Sequence, residues 1–139
     1  MAIKQHDLSG QFLLGTLYTP TATGTDVVEG YFFIPDATGD YTVNKVVVIG
    51  NAALSGTDDD YASVTVQDGG TAGTGTTQLT GASEDFTLGT DIVAGTPITL
   101  TASGANVLDG ADVLRCRVTK TGSGATIPAL VWHVYATGS

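Results

Sequence analysis

The sequence predicts an all-β domain, a two-sheet antiparallel β-sandwich of jelly-roll type with about eight strands. Three observations lead there. Gly and Thr, at 19 and 23 residues, favour turns and strands, whereas helix formers are scarce: 2 Glu, 3 Lys, 2 Arg and 1 Met in 139 residues. Apolar and polar residues alternate in short segments, which puts successive side chains on opposite faces of a strand, and no segment sustains a helical period. Clusters of Gly, Asp and Ser punctuate those segments as turns. Leu, Ile, Val and Phe make up about a quarter of the chain, enough for one packed core in a single domain of this length.

The elements follow in order. Residues 1–26 are read as an N-terminal arm and linker ahead of a sandwich domain over 27–139. Phe12, Leu13, Leu14, Leu17 and Tyr18 form the apolar part of the arm, and Thr19-Pro20-Thr21-Ala22-Thr23-Gly24-Thr25-Asp26 the linker. Such an arm would add a strand to a neighbour's sheet edge; the alternative is that residues 11–18 are the first strand of the domain itself. Val27 to Ile34 is the next strand, stopped by Pro35-Asp36-Ala37-Thr38-Gly39-Asp40. Tyr41 to Ile49, Ala62 to Val66, Thr76 to Thr80, Asp85 to Leu88, Pro97 to Ala102, Val113 to Thr119 and Leu130 to Ala136 complete the series.

Ala62, Val64 and Val66 oppose Ser63, Thr65 and Gln67, and Leu114, Cys116 and Val118 oppose Arg115, Arg117 and Thr119. Each strand therefore has one wet face, and two sheets must pack their dry faces together. Tyr31-Phe32-Phe33-Ile34 and Val46-Val47-Val48-Ile49 are continuously apolar instead, so both are expected to be buried on two faces or covered by another chain. Phe32 and Val47 accordingly join Phe12, Leu13, Leu14, Leu17 and Tyr18 as candidate interface residues.

The net charge is −9, and 12 of the 14 acidic residues are Asp, which suits turns. A chain this acidic repels phosphate backbones and anionic membrane surfaces, and its five cations are dispersed, so neither nucleic acid nor membrane is expected as a partner. No apolar run reaches the ~18 residues of a membrane-spanning helix, and Met1 to Asp7 lacks a secretory signal. The expectation is a complete protein made in a cytosol and kept or assembled there.

No catalytic constellation emerges, so an enzyme is not expected, nor a cofactor. His6 and His133 lie far apart, and Cys116 has neither a second Cys nor a His at ligand spacing. Cys116 shares the phase of Leu114 and Val118 and is read as a buried small hydrophobe, while His133, in phase with Val131 and Tyr135, is a polar tip. The glycine-rich run Gly69 to Gly75 lacks the Lys of a phosphate-binding loop and reads as a hairpin connection; Gly122-Ser123-Gly124 reads as a turn. Asp58, Asp59 and Asp60 are the candidate Ca²⁺ ligands, with Asp109 or Asp112 as further oxygens, against the plain alternative of a solvated acidic turn. Glu84 and Asp85 are adjacent and would face opposite sides of a strand, which is wrong for paired acid and base work.

Gly39-Asp40-Tyr41-Thr42-Val43, together with Asp109-Gly110-Ala111-Asp112-Val113-Leu114-Arg115-Cys116-Arg117-Val118-Thr119-Lys120-Thr121-Gly122-Ser123-Gly124, resembles the small Gly/Thr-rich β-sandwich proteins of tailed-phage virions, above all the head decoration or cement proteins. An acidic turn leads into a strand, and a Thr-Gly-Ser-Gly turn precedes a final aromatic strand, Val131-Trp132-His133-Val134-Tyr135; the resemblance runs from Val27 to Tyr135. It implies a homotrimer docked at threefold positions on the exterior of an icosahedral capsid, clamping the major capsid protein against internal pressure. The location it implies is the virion, after synthesis in a bacterial host cytoplasm. The competing expectation is a carbohydrate-binding or lectin-like sandwich, which the five Tyr and one Trp permit.

Overall fold

Nine strands form in the computed structural model, which describes residues 10–23, 27–34, 40–103 and 107–138. They are β1 (Phe12–Thr19), β2 (Val27–Phe33), β3 (Tyr41–Gly50), β4 (Tyr61–Asp68), β5 (Thr77–Phe86), β6 (Ile98–Thr101), β7 (Val107–Leu108), β8 (Val113–Thr121) and β9 (Leu130–Gly138). One sheet runs β1-β9-β3-β6 with β7 also on β3, the other β2-β8-β4-β5, and every pairing is antiparallel. Set the two-residue β7 aside, and the first strand pairs with the last, the second with the second-last, the third with the third-last, and the middle two with each other. That is one long hairpin rolled over on itself, the jelly roll that alternation and turn spacing predict. No helix among the described residues is long and apolar enough to cross a membrane.

The dry faces meet as expected. Val64 pairs with Val118 and Val66 with Cys116 on the four-stranded sheet, and Val46, Val48, Trp132 and Val134 face them from the five-stranded one, all 1% exposed or less. Trp132 is fully enclosed, and its indole N–H donates to Thr19 Oγ1 at 2.9 Å, which satisfies the one polar group it brings inside. Cys116 is unpaired and buried, and burial pushes its thiol up, away from the reactive thiolate.

Three features depart from the expected elements or decide between them. Phe12–Thr19 pairs with β9 of the same chain from Phe12↔Ala136 to Thr19↔Leu130, so this stretch is an edge strand of the domain's own sheet, and Ala22 beyond it bridges to Ile127. Thr77–Phe86 is one strand where two were expected, because Gly81 adopts a φ of +76° and carries the chain on without ending it. The aromatic run of β2 alternates: Phe32 is half-buried and Ile34 fully buried, whereas Tyr31 and Phe33 are 56% and 58% exposed. Continuous apolarity there does not mean burial on two faces, since β2 is an edge strand and no described residue covers its outer side. Likewise Val46 and Val48 are buried while Val47 and Ile49 stand half-buried on the outside. The turn expected at 35–39, the linker residues 24–26 and the N-terminal residues 1–9 lie outside the described residues.

The two sheets approach most closely between β1 and β2. A Cβ on Gly15 would overlap the Phe32 ring, and one on Gly30 would stand 2.6 Å from Leu17 Cδ1. Glycine lets the two edge strands close the mouth of the sandwich there.

Candidate functional site

With the interior filled, chemistry is confined to the outer faces and the loops. On the four-stranded sheet, register places three rows across β2, β8 and β4: Glu29 beside Arg117 and Thr65, Tyr31 beside Arg115 and Gln67, and Phe33 beside Val113. Residues on β2 and β8 that are remote in sequence thereby become neighbours. Arg115 Nη2 donates to Glu29 Oε1 at 2.6 Å and Nη1 to the Gly75 carbonyl at 2.7 Å, while Arg117 Nε lies 3.6 Å from the same Glu29 oxygen. Tyr31 donates its hydroxyl proton to Glu29 Oε2 at 2.5 Å. That bond, helped by Arg115 and Arg117 and opposed by burial, holds the Glu29 carboxyl below the usual carboxylate range; the same bond raises the Tyr31 hydroxyl.

The glycine-rich connection between β4 and β5 builds the rim of this face. Gly69 N–H donates to the Val113 carbonyl at 2.8 Å and Gly75 N–H to that of Gly69 at 2.9 Å, folding the loop over Arg115, which is left only 9% exposed. It is therefore the hairpin connection expected from sequence, and it serves to cover a guanidinium. The Nε atoms of Arg115 and Arg117 and Oε1 of Gln67 are shut from solvent without a hydrogen-bond partner. Two guanidinium groups thus share the Glu29 carboxylate, and the Ser63↔Asp85 pairing sets an exposed Asp85 on the same outer face.

The outer face of the five-stranded sheet is of another kind. Its rows are Leu13, Tyr135, Lys45 and Thr101; Thr16, His133, Val47 and Thr99; and Tyr18, Val131 and Ile49. None of these is acidic. Lys45 Nζ sits 4.7 Å above the Tyr135 ring, a cation–π contact, and His133 Nδ1 lies 3.1 Å from Thr16 Oγ1. His133 thus stands in phase with Val131 and Tyr135, as its sequence position predicts.

The structure sorts the candidate interface residues. Leu13, Tyr18 and Val47 stand on this acid-free face. Leu17 lies in the core, Phe12, Leu14 and Phe32 pack against it, and Phe12 meets Tyr41 edge-on with centroids 6.1 Å apart. These four are therefore packing residues.

Asp58 and Asp59 are exposed, and Asp60 turns inward, its N–H bonded to Thr57 Oγ1 at 3.1 Å and its carboxylate packed on Gly122 and Gly124. Asp112 instead accepts from the Asp109 N–H at 3.0 Å within its own tight turn, and burial, with the charges of Asp68, Asp109 and Asp40, raises its carboxyl above the usual range. Among the described residues no three His, Cys, Asp or Glu side chains come together as a metal-ligand group.

No protein-family model matches the chain, and no curated protein matches it. Nine chains of solved structures do, among them a β-(1,4)-mannanase of Podospora anserina with GH26 and CBM35 parts. The alignment has 12% identity and a TM-score of 0.35, covering 94% of this chain and 27% of that one. The chain thus spans about a quarter of that enzyme's length, 27%, and the likeness is too slight to bear on function.

Proposed function

We propose that this chain is a non-enzymatic structural virion protein that binds the exterior of an icosahedral phage capsid as a trimer at threefold positions and stabilises the shell through the major capsid protein. The observation that favours it is the acid-free outer face of the five-stranded sheet, where Leu13, Tyr18, Val47, Val131 and Tyr135 make a mainly apolar stripe crossed by Thr16 and His133, on a protein of net charge −9. Such a stripe on so acidic a molecule suits contact with another protein surface. The jelly roll is a fold that virion proteins use, though fold alone does not select among its many functions.

The test is co-sedimentation with shells of the phage whose genome encodes the chain. Wild-type protein should pellet with them and raise their melting temperature, and Val47→Glu, which places a carboxylate in the stripe, should stay in the supernatant. Wild-type protein that never pellets, or a Val47→Glu variant that binds equally, would sink the proposal.

A second reading, a saccharide-binding module on a virion or cell surface, is favoured by Tyr31 and Phe33, two exposed rings on one strand face beside hydrogen-bonding Glu29 and Arg117. Trp132 is enclosed and has no part in it. A glycan that raises the melting temperature of the wild type and not of Tyr31→Ala would decide for this reading.

A further inference from the structure

We propose that Asp109-Gly110 is a site of spontaneous backbone modification, where the chain closes a succinimide ring and reopens it as isoaspartate. The fold locks the other Asp-Gly step, Asp68-Gly69, against the same reaction. That reaction needs an Asp carboxyl, the backbone nitrogen of the next residue and no side chain in the way, and only these two steps in the sequence put glycine after Asp.

The step is a condensation followed by a hydrolysis. The Gly110 nitrogen attacks Cγ of the protonated Asp109 carboxyl; a C–N bond forms, the C–OH bond breaks, and the hydroxyl leaves with the amide hydrogen as water. Solvent water then opens the ring. Attack at Cγ restores aspartate, whereas attack at the main-chain carbonyl carbon of Asp109 breaks that carbon's bond to the Gly110 nitrogen and leaves Gly110 joined through the side chain.

The two steps differ in what holds the reacting groups. Gly69 is buried, its N–H donates to the Val113 carbonyl at 2.8 Å, and Asp68 Oδ1 accepts from the Gly70 N–H at 2.8 Å, so both reacting groups are occupied. Asp109 bonds Asp112 through its own N–H and carbonyl, yet it is exposed, and among the described residues neither its carboxylate nor the Gly110 N–H has a hydrogen-bond partner. Strain separates the two steps as well. Asp112 N–H donates to the Asp109 carbonyl at 3.2 Å and closes a tight turn around Gly110 and Ala111, in which Ala111 stands at a φ of +71°, a conformation such turns give to glycine. In the loop after Asp68 the positive φ values fall on Gly70 and Gly73, which adopt them without strain. Bending the Asp109 turn toward ring closure therefore forfeits less than bending the loop at Asp68. The modification also reaches the sheet. Ala111 N–H donates to the Ile34 carbonyl at 3.1 Å and Ile34 N–H to the Asp112 carbonyl at 2.8 Å, and the methylene that isoaspartate adds to the backbone shifts this turn against the end of β2.

The experiment ages the full chain in warm buffer, folded and in denaturant, and maps its peptides by mass spectrometry with isoaspartate separated by chromatography. Folded protein should accumulate the succinimide, lighter by one water, and then isoaspartate at Asp109. Asp68 should react at least about tenfold more slowly, because two hydrogen bonds must open first. In denaturant the two steps should react at similar rates, since neither is then held. Asp109→Ser should end the modification of the folded protein, and Asp109→Asn should hasten it, with ammonia leaving in place of water. Hydrogen exchange at the Ile34 amide should quicken in the aged wild type. Equal rates at the two steps in the folded protein, or Asp68 reacting first, would overturn the proposal. An aged folded chain intact at Asp109, when the denatured chain is modified there, would do the same.

Discussion

The outer faces of the two sheets hold their side chains in place by different means. On the four-stranded sheet, Arg115 is tied to Glu29 and to the Gly75 carbonyl, Tyr31 is tied to Glu29, and the Gly69 to Gly75 loop folds over Arg115. On the five-stranded sheet, the outward contacts include a lysine above a ring and a histidine–threonine bond. The same alternation produced both faces, so pattern tells which side is outside and nothing about what the outside does. A face locked by its own ion network is part of the fold, and only its unlocked residues are free for a partner. A face without such a network can give most of its side chains to a partner at little cost to stability.

Substitutions that break this contrast come first. Arg115→Ala should cost about 3 kcal/mol, because it removes the charged bonds to both Glu29 and the Gly75 carbonyl, whereas Lys45→Ala on the other face should cost at most about 1 kcal/mol. Equal losses by denaturant unfolding would erase the distinction drawn above. Gly15→Ala should cost about 1–3 kcal/mol, since its methyl would overlap Phe32 where the two edge strands close. An unchanged midpoint would mean that β1 and β2 can slide apart without penalty.

Titration sharpens the contrast within the ionic face and its adjoining turn. Glu29 has its carboxyl held down in the folded state, so its contribution is present above the unfolded carboxylate range and lost as pH falls through the folded value. Asp112 is the reverse: raised by burial, it favours the fold when protonated, and that contribution is lost as pH rises through its elevated value. Melting temperature measured from about pH 3 to 6 should therefore lose its acid-side fall in part for Glu29→Gln and its opposing slope for Asp112→Asn. Two superimposable profiles would contradict this pairing. The smallest expected effect is on the open face, where Tyr18→Ala and Val47→Ala should each shift stability by no more than about 0.5 kcal/mol.

The fold class was legible because period-two alternation at Ala62 to Gln67 and Val113 to Thr119 is a local property of the chain. Strand order and boundaries were less so. Whether Phe12–Thr19 served its own sheet or a neighbour's depended on β9, more than a hundred residues away, and the bend at Gly81 looked like a stop because glycine marks turns more often than kinks within strands. The ionic face was half visible: Arg115 and Arg117 were placed on the wet side of β8, but Glu29 lies 86 positions from Arg115 and becomes its partner only through the β2–β8 register. Tyr31 and Phe33 were hidden by the company of Phe32 and Ile34, since an apolar run on an edge strand reads the same as one buried on both sides.

β9 lies between β1 and β3 and is made after the other eight described strands, so its position has a consequence for the nascent chain. While the ribosome has delivered everything up to residue 129, β1 has no pairing partner, β3 lacks one of its two long ones, and the cavity that Trp132 fills stands open. The four-stranded sheet, by contrast, has all its members once β8 has emerged. The sandwich therefore cannot close during translation until Leu130–Gly138 clears the exit tunnel. Such a late long-range closure is slow by nature, which leaves newly made chains exposed to mispairing for longer than their small size suggests.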